Sequence, residues 1–201
     1  MAGGTGSSNT TIRDTVQRMR IESSAMASTP LSQRDAALVR VKEALLSHKD
    51  DIFSANTEDL ARAKRDGAAP AVVKRLLFDE HKLKDVCAGI GSLLGLEDPV
   101  GRVLLRRELD EGLELTRVSC PIGVIGVIFE ARPDALVQIS ALCLKSGNMA
   151  MLKGGSETAE SNRTIFSLVH EAAVAAGLPS TCLALAESHA QIDELLGCFG
   201  L

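Results

Sequence analysis

Apolar residues recur at helical spacing through the first half of the chain. From about residue 103 they give way to short extended runs separated by helix-length amphipathic stretches. Leu38, Val41 and Leu45 lie three and four apart, which predicts a helix with Ser32 as its N-cap. Asn56 or Thr57 is the expected cap of the next, which runs through Leu60 and Ala63 to Gly67, and the chain turns at Ala68 to Pro70. A further helix is predicted from about Glu80 to Leu94, ending near Gly95. Residues 1–12 are small and polar and are expected to be flexible; the helical region, 13–100, is assigned no chemistry.

Between Val103 and Ser119 two extended segments flank Asp110-Glu111-Gly112, which predicts a β-hairpin. The run PIGVIGVIF that follows is almost unbroken in its apolarity, as expected of a strand buried on both faces of a parallel sheet, with Pro121 at its start. Pro133 suits a first helical turn. Leu136, Ile139, Leu142 and Cys143 form the expected buried stripe, and Gly147 the left-handed stop. The next strand is MAMLK, followed by a helix from about Thr158 with Ile165, Leu168, Val169 and Ala172 inward, and by Gly177-Leu178-Pro179. LALA at 183–186 is a third strand, and Gln191 to Leu196 opens another helix. Strands alternating with helices define an α/β fold with a parallel sheet and right-handed crossovers, a βαβ core over 121–201. Three such strands leave an apolar sheet edge open, so the sheet is read as incomplete.

Composition narrows the function classes. The 201 residues are enough for one domain or most of one. Acidic residues (26) exceed Lys+Arg (22) and no basic patch is interleaved with aromatics, which argues against a nucleic-acid partner. MAGGTGSSNTTI lacks the pattern of a signal peptide, and no run reaches bilayer-spanning length, so a cytoplasmic protein without a membrane partner is expected. The five cysteines, Cys87, Cys120, Cys143, Cys182 and Cys198, are scattered and form no C-x-x-C pair, which argues against a zinc site or a disulfide framework. Each is read as a buried structural thiol, and the four histidines, His48, His81, His170 and His189, as isolated surface or cap residues.

Ligands of open parallel sheets bind beyond the carboxyl ends of the strands, which singles out two loops on one edge. In the second, Lys153 leaves a strand, Gly154-Gly155-Ser156 permits close backbone approach, and Glu157 can accept from a ribose hydroxyl. The helix terminus beyond offers unpaired N–H groups, and together these suit a phosphate or the ribose and 2′-phosphate of NADP. Spacing alone leaves an ordinary strand-to-helix turn with a solvated lysine equally open. In the first loop Glu130, Arg132, Pro133 and Asp134 cluster where the sheet meets solvent. Arg132 can pair with an anion, or it can be surface charge beside a helix capped by Asp134. A G-x-G-x-x-G fingerprint is missing, since only Gly123 and Gly126 lie in the first strand.

The motifs PIGVIGVIFEARPDALVQI, LCLKSGN and MLKGGSE, in this order between Val118 and Arg163, resemble those of the γ-glutamyl phosphate reductases. Weaker likeness extends to QRDAALVRVKEALL and SANTEDLARAK. The resemblance implies the aldehyde dehydrogenase fold, whose cofactor site replaces the glycine fingerprint with these two loops. It implies NADPH-dependent reduction of L-glutamyl 5-phosphate to L-glutamate 5-semialdehyde in proline biosynthesis, through a thioester on a cysteine. Lys153 and Glu157 match the positions at the cofactor ribose or 2′-phosphate, and Glu130 to Asp134 the loop under the nicotinamide. Asp134 stands where many members have asparagine. The hairpin corresponds to an oligomerisation arm, which implies a homo-oligomer in the complete enzyme.

Members of that family are longer and carry the nucleophilic cysteine in a second domain. The chain is therefore expected to be a partial nucleotide-binding domain over 13–201 that lacks the catalytic domain and is inactive alone. The alternative is a non-catalytic nucleotide-binding or subunit-docking module.

Overall fold

The Thr11 hydroxyl accepts a hydrogen bond from Asp14 N and the Asp14 carboxylate accepts one from Thr11 N, a capping box that opens α1 (Ile12–Ala27). The computed structural model describes residues 11–187 and 190–198. The expected flexibility of residues 1–10, and the expectation for His189, lie outside them. Thr11 caps α1 and Ile12 is buried as its first residue, so the flexibility expected through residue 12 does not hold for these two.

Three further helices follow, α2 (Leu31–Ser47), α3 (Lys49–Arg65) and α4 (Pro70–Leu76). Pro30, not Ser32, precedes α2, and Ser32 lies exposed inside it. Neither Asn56 nor Thr57 opens a helix: both sit within α3, which starts directly after His48. Asn56 resembles a cap in sequence because it does satisfy stray backbone groups, but they belong to another segment. Its amide accepts from Phe78 N (2.8 Å) and donates to Leu76 O (2.8 Å), fixing the exit of α4. Asp79 caps α5 (Glu80–Leu94), which ends at Gly95 as expected.

The hairpin pairs β1 (Val103–Asp110) with β2 (Leu113–Val118), antiparallel, with Gly112 in the left-handed region at φ 74°. Every residue of both strands is exposed.

The second sheet contains β3 (Val124–Ile128), β4 (Met149–Lys153) and β5 (Leu183–Ala186), all parallel and in that spatial order. Helices α6 (Pro133–Lys145) and α7 (Ala159–Ala175) are the two crossovers, and α8 (Ala190–Cys198) follows β5. Two right-handed crossovers stepping in one direction place α6 and α7 on one face of the sheet. α1 meets β3 and β4 and packs on α8, and α2 and α3 cover α7 from outside. All five residues of β4 are consequently buried.

β3 departs from the expectation of burial on both faces: Gly126 and Ile128 are exposed and the rest of the strand is half-buried, because it occupies a sheet edge. On α6 the buried stripe turns out to be Leu136, Val137, Ser140, Ala141, Cys143 and Leu144, while Leu142 is 55% exposed. Gly147 ends the helix at φ 69°, as expected.

A buried ionic brace ties the outer helices to the core. Arg34 of α2, 2% exposed, donates to both oxygens of Asp98 (2.9 and 2.7 Å), to Thr29 O and to Lys145 O. Lys145, also buried, donates to Asp35 at 2.8 Å. Burial of two cations is tolerated because each keeps a carboxylate partner.

Candidate functional site

Parallel pairing brings the carboxyl ends of β3 and β4 side by side, with Ile128 opposite Lys153 and Phe129 N bonded to Lys153 O at 3.0 Å. The loops 129–134 and 153–157 therefore leave the sheet together. A side-chain hydrogen bond joins them: Glu157 Oε1 accepts from Ala131 N at 2.8 Å. Ala131 adopts φ 50°, a left-handed conformation uncommon for alanine. The bond to Glu157 holds that strained residue, and it commits one oxygen of the carboxylate that sequence left free for a ribose.

Lys153 is not the solvated lysine of the simplest sequence reading. It is 2% exposed, and its ammonium donates to Gly154 O. Gly154 is buried, and a Cβ there would overlap Asn162 Nδ2 and stand 3.2 Å from Phe129 Cε2. At Gly155 an added Cβ would overlap the Glu157 carboxylate. Both glycines thus make room for specific neighbours. Ser156 is exposed, in a short 3-10 turn, 156–158, that leads into α7.

The start of α7 differs from expectation. Its N–H groups do not point at open space: Asp59, fully buried on α3, accepts from Ser161 N (2.8 Å), Ser161 Oγ (2.7 Å) and Glu160 N (3.3 Å). A carboxylate from a distant helix fills the anion site of this terminus. Arg62, one turn beyond Asp59, pairs with it and reaches Ser156 O at 3.2 Å. Sequence reasoning missed both residues; the only signal was an Asp and an Arg three apart on one helix.

In the first loop Pro133 opens α6 and Glu130 is exposed without a described partner. Asp134 is not a cap: it lies inside the first turn, buried, and accepts from Arg132 (2.9 Å) and from Lys82 of α5 (3.4 Å). Burial alone would raise its pKa, but the two cations outweigh burial and hold it below the usual carboxylate range. A lowered folded-state pKa contributes stability that is complete above about pH 4 and lost as pH falls through the folded value. Asp134→Asn is therefore expected to flatten the acid side of the stability profile, read as urea midpoints between neutral and strongly acidic pH. Parallel profiles for the two proteins would contradict this.

Between the carboxyl ends of β4 and β5 lies a cleft, walled by Gly154, Gly155 and Ser156 and floored by Ala159, Leu185 and Ala186. Asn162, 3% exposed, stands in its wall. Its amide nitrogen donates to Thr158 Oγ1 at 2.8 Å, while its Oδ1 has no partner. An unmet buried acceptor beside a glycine cradle and an apolar floor fits the ribose and base of a nucleotide. No group of metal-ligating side chains occurs among the described residues, and no described helix is long and apolar enough to cross a membrane.

The thiols lie elsewhere. Cys120, Cys143 and Cys182 all belong to the amino-terminal edge of the sheet, opposite both loops. Burial pushes Cys143 up to about 11 and Cys182 up to about 12, and raises Cys87. Cys120 is exposed and Cys198 half-buried, so the expectation of five buried thiols holds for three. With a chromogenic disulfide at neutral pH, Cys120 should react in the folded protein and Cys143 and Cys182 only after unfolding. Fast labelling of either buried thiol would contradict this placement.

A parallel sheet with a hairpin arm and two linked carboxyl-edge loops defines an aldehyde-dehydrogenase-like fold. An acetylating aldehyde dehydrogenase from Geobacillus thermoglucosidasius superposes with a TM-score of 0.65 at 14% identity over 92% of this chain, a likeness of fold alone. Structures of gamma-glutamyl phosphate reductase are nearer. That from Saccharomyces cerevisiae has a TM-score of 0.84 at 36% identity, over 88% of this chain and 46% of that one. The Thermotoga maritima structure gives 0.83 and 29%, over 87% and 42%. In sequence the chain is 49% identical to gamma-glutamyl phosphate reductase of Ruminiclostridium cellulolyticum over 185 residues, 92% of this chain and 43% of that protein. The chain is thus homologous to part of gamma-glutamyl phosphate reductase and spans about two fifths of the length of the curated relatives it matches. No family model matches it.

Proposed function

We propose that this chain forms the cofactor side of a γ-glutamyl phosphate reductase, which reduces L-glutamyl 5-phosphate to L-glutamate 5-semialdehyde and phosphate with NADPH in proline biosynthesis. The observation that carries the reading is the Glu157–Ala131 bond, which fixes two ligand-side loops as one surface on the carboxyl edge of a parallel sheet. Bound NADPH would supply the hydride. Gly154, Gly155 and Ser156 would hold its ribose, with Lys153 and Glu157 fixing the shape of that turn. Glu130, Arg132 and Pro133 would lie under the nicotinamide, where the part of the Arg132 fork not engaged by Asp134 can meet an anion.

Cys120, Cys143 and Cys182 lie at the opposite edge of the sheet and Cys87 is buried, so no described thiol is assigned to acyl transfer under this proposal, and the 201 residues alone are expected to turn over no acyl phosphate. Oligomerisation through the hairpin and residence in the cytoplasm belong to the same proposal. Calorimetric titration of the purified chain with NADPH tests it, with Lys153→Ala as control. Saturable binding weakened by that substitution supports the cofactor surface, and a folded, cooperative sample that takes up no NADPH overturns it. The exposed leucines of the hairpin favour, as a second reading, a docking module without catalysis.

A further inference from the structure

If a dinucleotide lies along the carboxyl edge with its nicotinamide over the β3–α6 loop, the strand order β3, β4, β5 places its adenosine end over the cleft between β4 and β5. The family resemblance matched Lys153 and Glu157 to the cofactor ribose or 2′-phosphate, but the Lys153 ammonium is buried and turned back onto Gly154 O. Of the described residues lining the cleft, Arg163 is the only cation. It projects from the second turn of α7, and its guanidinium lies between two carboxylates: Nη1 donates to Glu160 (2.7 Å) and Nε to Glu187 (3.0 Å). Glu187 follows β5 directly and lines the cleft itself. All three side chains are at least one-third exposed, so these bonds can exchange with solvent or with a ligand.

We propose that Arg163 and Glu187 set the choice between phosphorylated and unphosphorylated dinucleotide: Arg163 attracts the 2′-phosphate of NADPH and Glu187 opposes it. The inference rests on the cofactor reading above. A 2′-phosphate entering this cleft exchanges a carboxylate for a dianion on the same planar fork, a stronger charge-assisted pair. The displaced Glu187 remains nearby as a like charge, which weakens that gain. An unphosphorylated ribose offers no dianion to the Arg163 fork, so its binding depends much less on either charge. The selectivity of the cleft is thus the balance of one cation against its own partner.

The test measures dissociation constants of NADPH and NADH separately for the 201-residue chain, for Arg163→Met and for Glu187→Gln. Arg163→Met keeps an apolar stem and is expected to weaken NADPH by roughly tenfold while leaving NADH within about twofold. Glu187→Gln is expected to tighten NADPH several-fold with little change in NADH, the opposite sign from the same ion pair. A merely structural role for the pair would move both cofactors and both variants in one direction. Binding of NADPH and NADH with ratios unaltered in both variants overturns the selectivity assignment while sparing the cofactor site. Absence of binding of either nucleotide to the folded parent chain overturns the cofactor reading, and this inference with it.

Discussion

Asp59→Ala should destabilise the protein by about 3 kcal/mol, a fall in Tm of roughly 6–12 °C for a domain of this size. Besides Arg62, three donors meet at the Asp59 carboxylate where α7 begins. Loss of a helix cap costs about 1 kcal/mol and the buried Ser161 N left unpaired about 1–3 kcal/mol, whereas Glu160 N is only part-buried and the Ser161 hydroxyl can rotate. Arg62 loses its carboxylate partner as well, but it keeps Ser156 O, is one-third exposed and can be solvated. Asp59→Asn keeps an acceptor and should cost less than half as much. Thr57→Ala, an exposed neighbour on α3, should leave Tm within about 2 °C. Thermal unfolding followed by circular dichroism gives all three values, and an unchanged Tm for Asp59→Ala would remove Asp59 as the anchor of the α7 terminus.

Gly154→Ala is expected to weaken NADPH binding at least about tenfold and to cost about 1–3 kcal/mol of stability. The methyl group collides with Asn162 Nδ2, and that side chain is not free to swing away: it is buried, and it donates to Thr158 Oγ1, which in turn donates to Gly155 O at 3.2 Å. Displacing it disturbs the second glycine of the same turn. Phe129 closes the other side. Adding Asn162→Ala to Gly154→Ala should recover part of the stability, because it removes the colliding atoms, and a double-mutant cycle reports that coupling directly. Strictly additive losses would locate the damage elsewhere.

Much of the α/β core was legible because its signals are local. MAMLK and LALA are short apolar runs between turn residues, Pro133 and Gly147 bracket α6, and the sheet follows from their alternation. The errors share one cause, which is that tertiary partners do not show in a local pattern. Asn56 carries the chemistry of a cap yet serves the backbone of α4 from the middle of α3, and Asp59 caps a helix about a hundred residues away. β3 has the composition of a central strand but lies at an edge, a property set by the order of strands in space. In the candidate site the glycines and loops were readable, since close approach demands glycine. The direction in which Lys153 and Glu157 turn was not, because it depends on the neighbours Gly154 O and Ala131 N.

The exposed hairpin has a consequence for motion. Two strands paired only with each other, carrying Leu104, Leu105, Leu109, Leu113 and Leu115 in water, form a ladder that an isolated chain barely sustains. Its amides should exchange with deuterium through local opening, long before those of β4, whose release requires the whole core to unfold. The arm is thus thermodynamically uncoupled from the domain that bears it. Anything that clamps it gains the ordering of some sixteen residues at a root fixed by Gly101 N to Ser119 O and Ser119 N to Arg102 O, and slowed exchange there would report that clamping without any change at the cofactor edge.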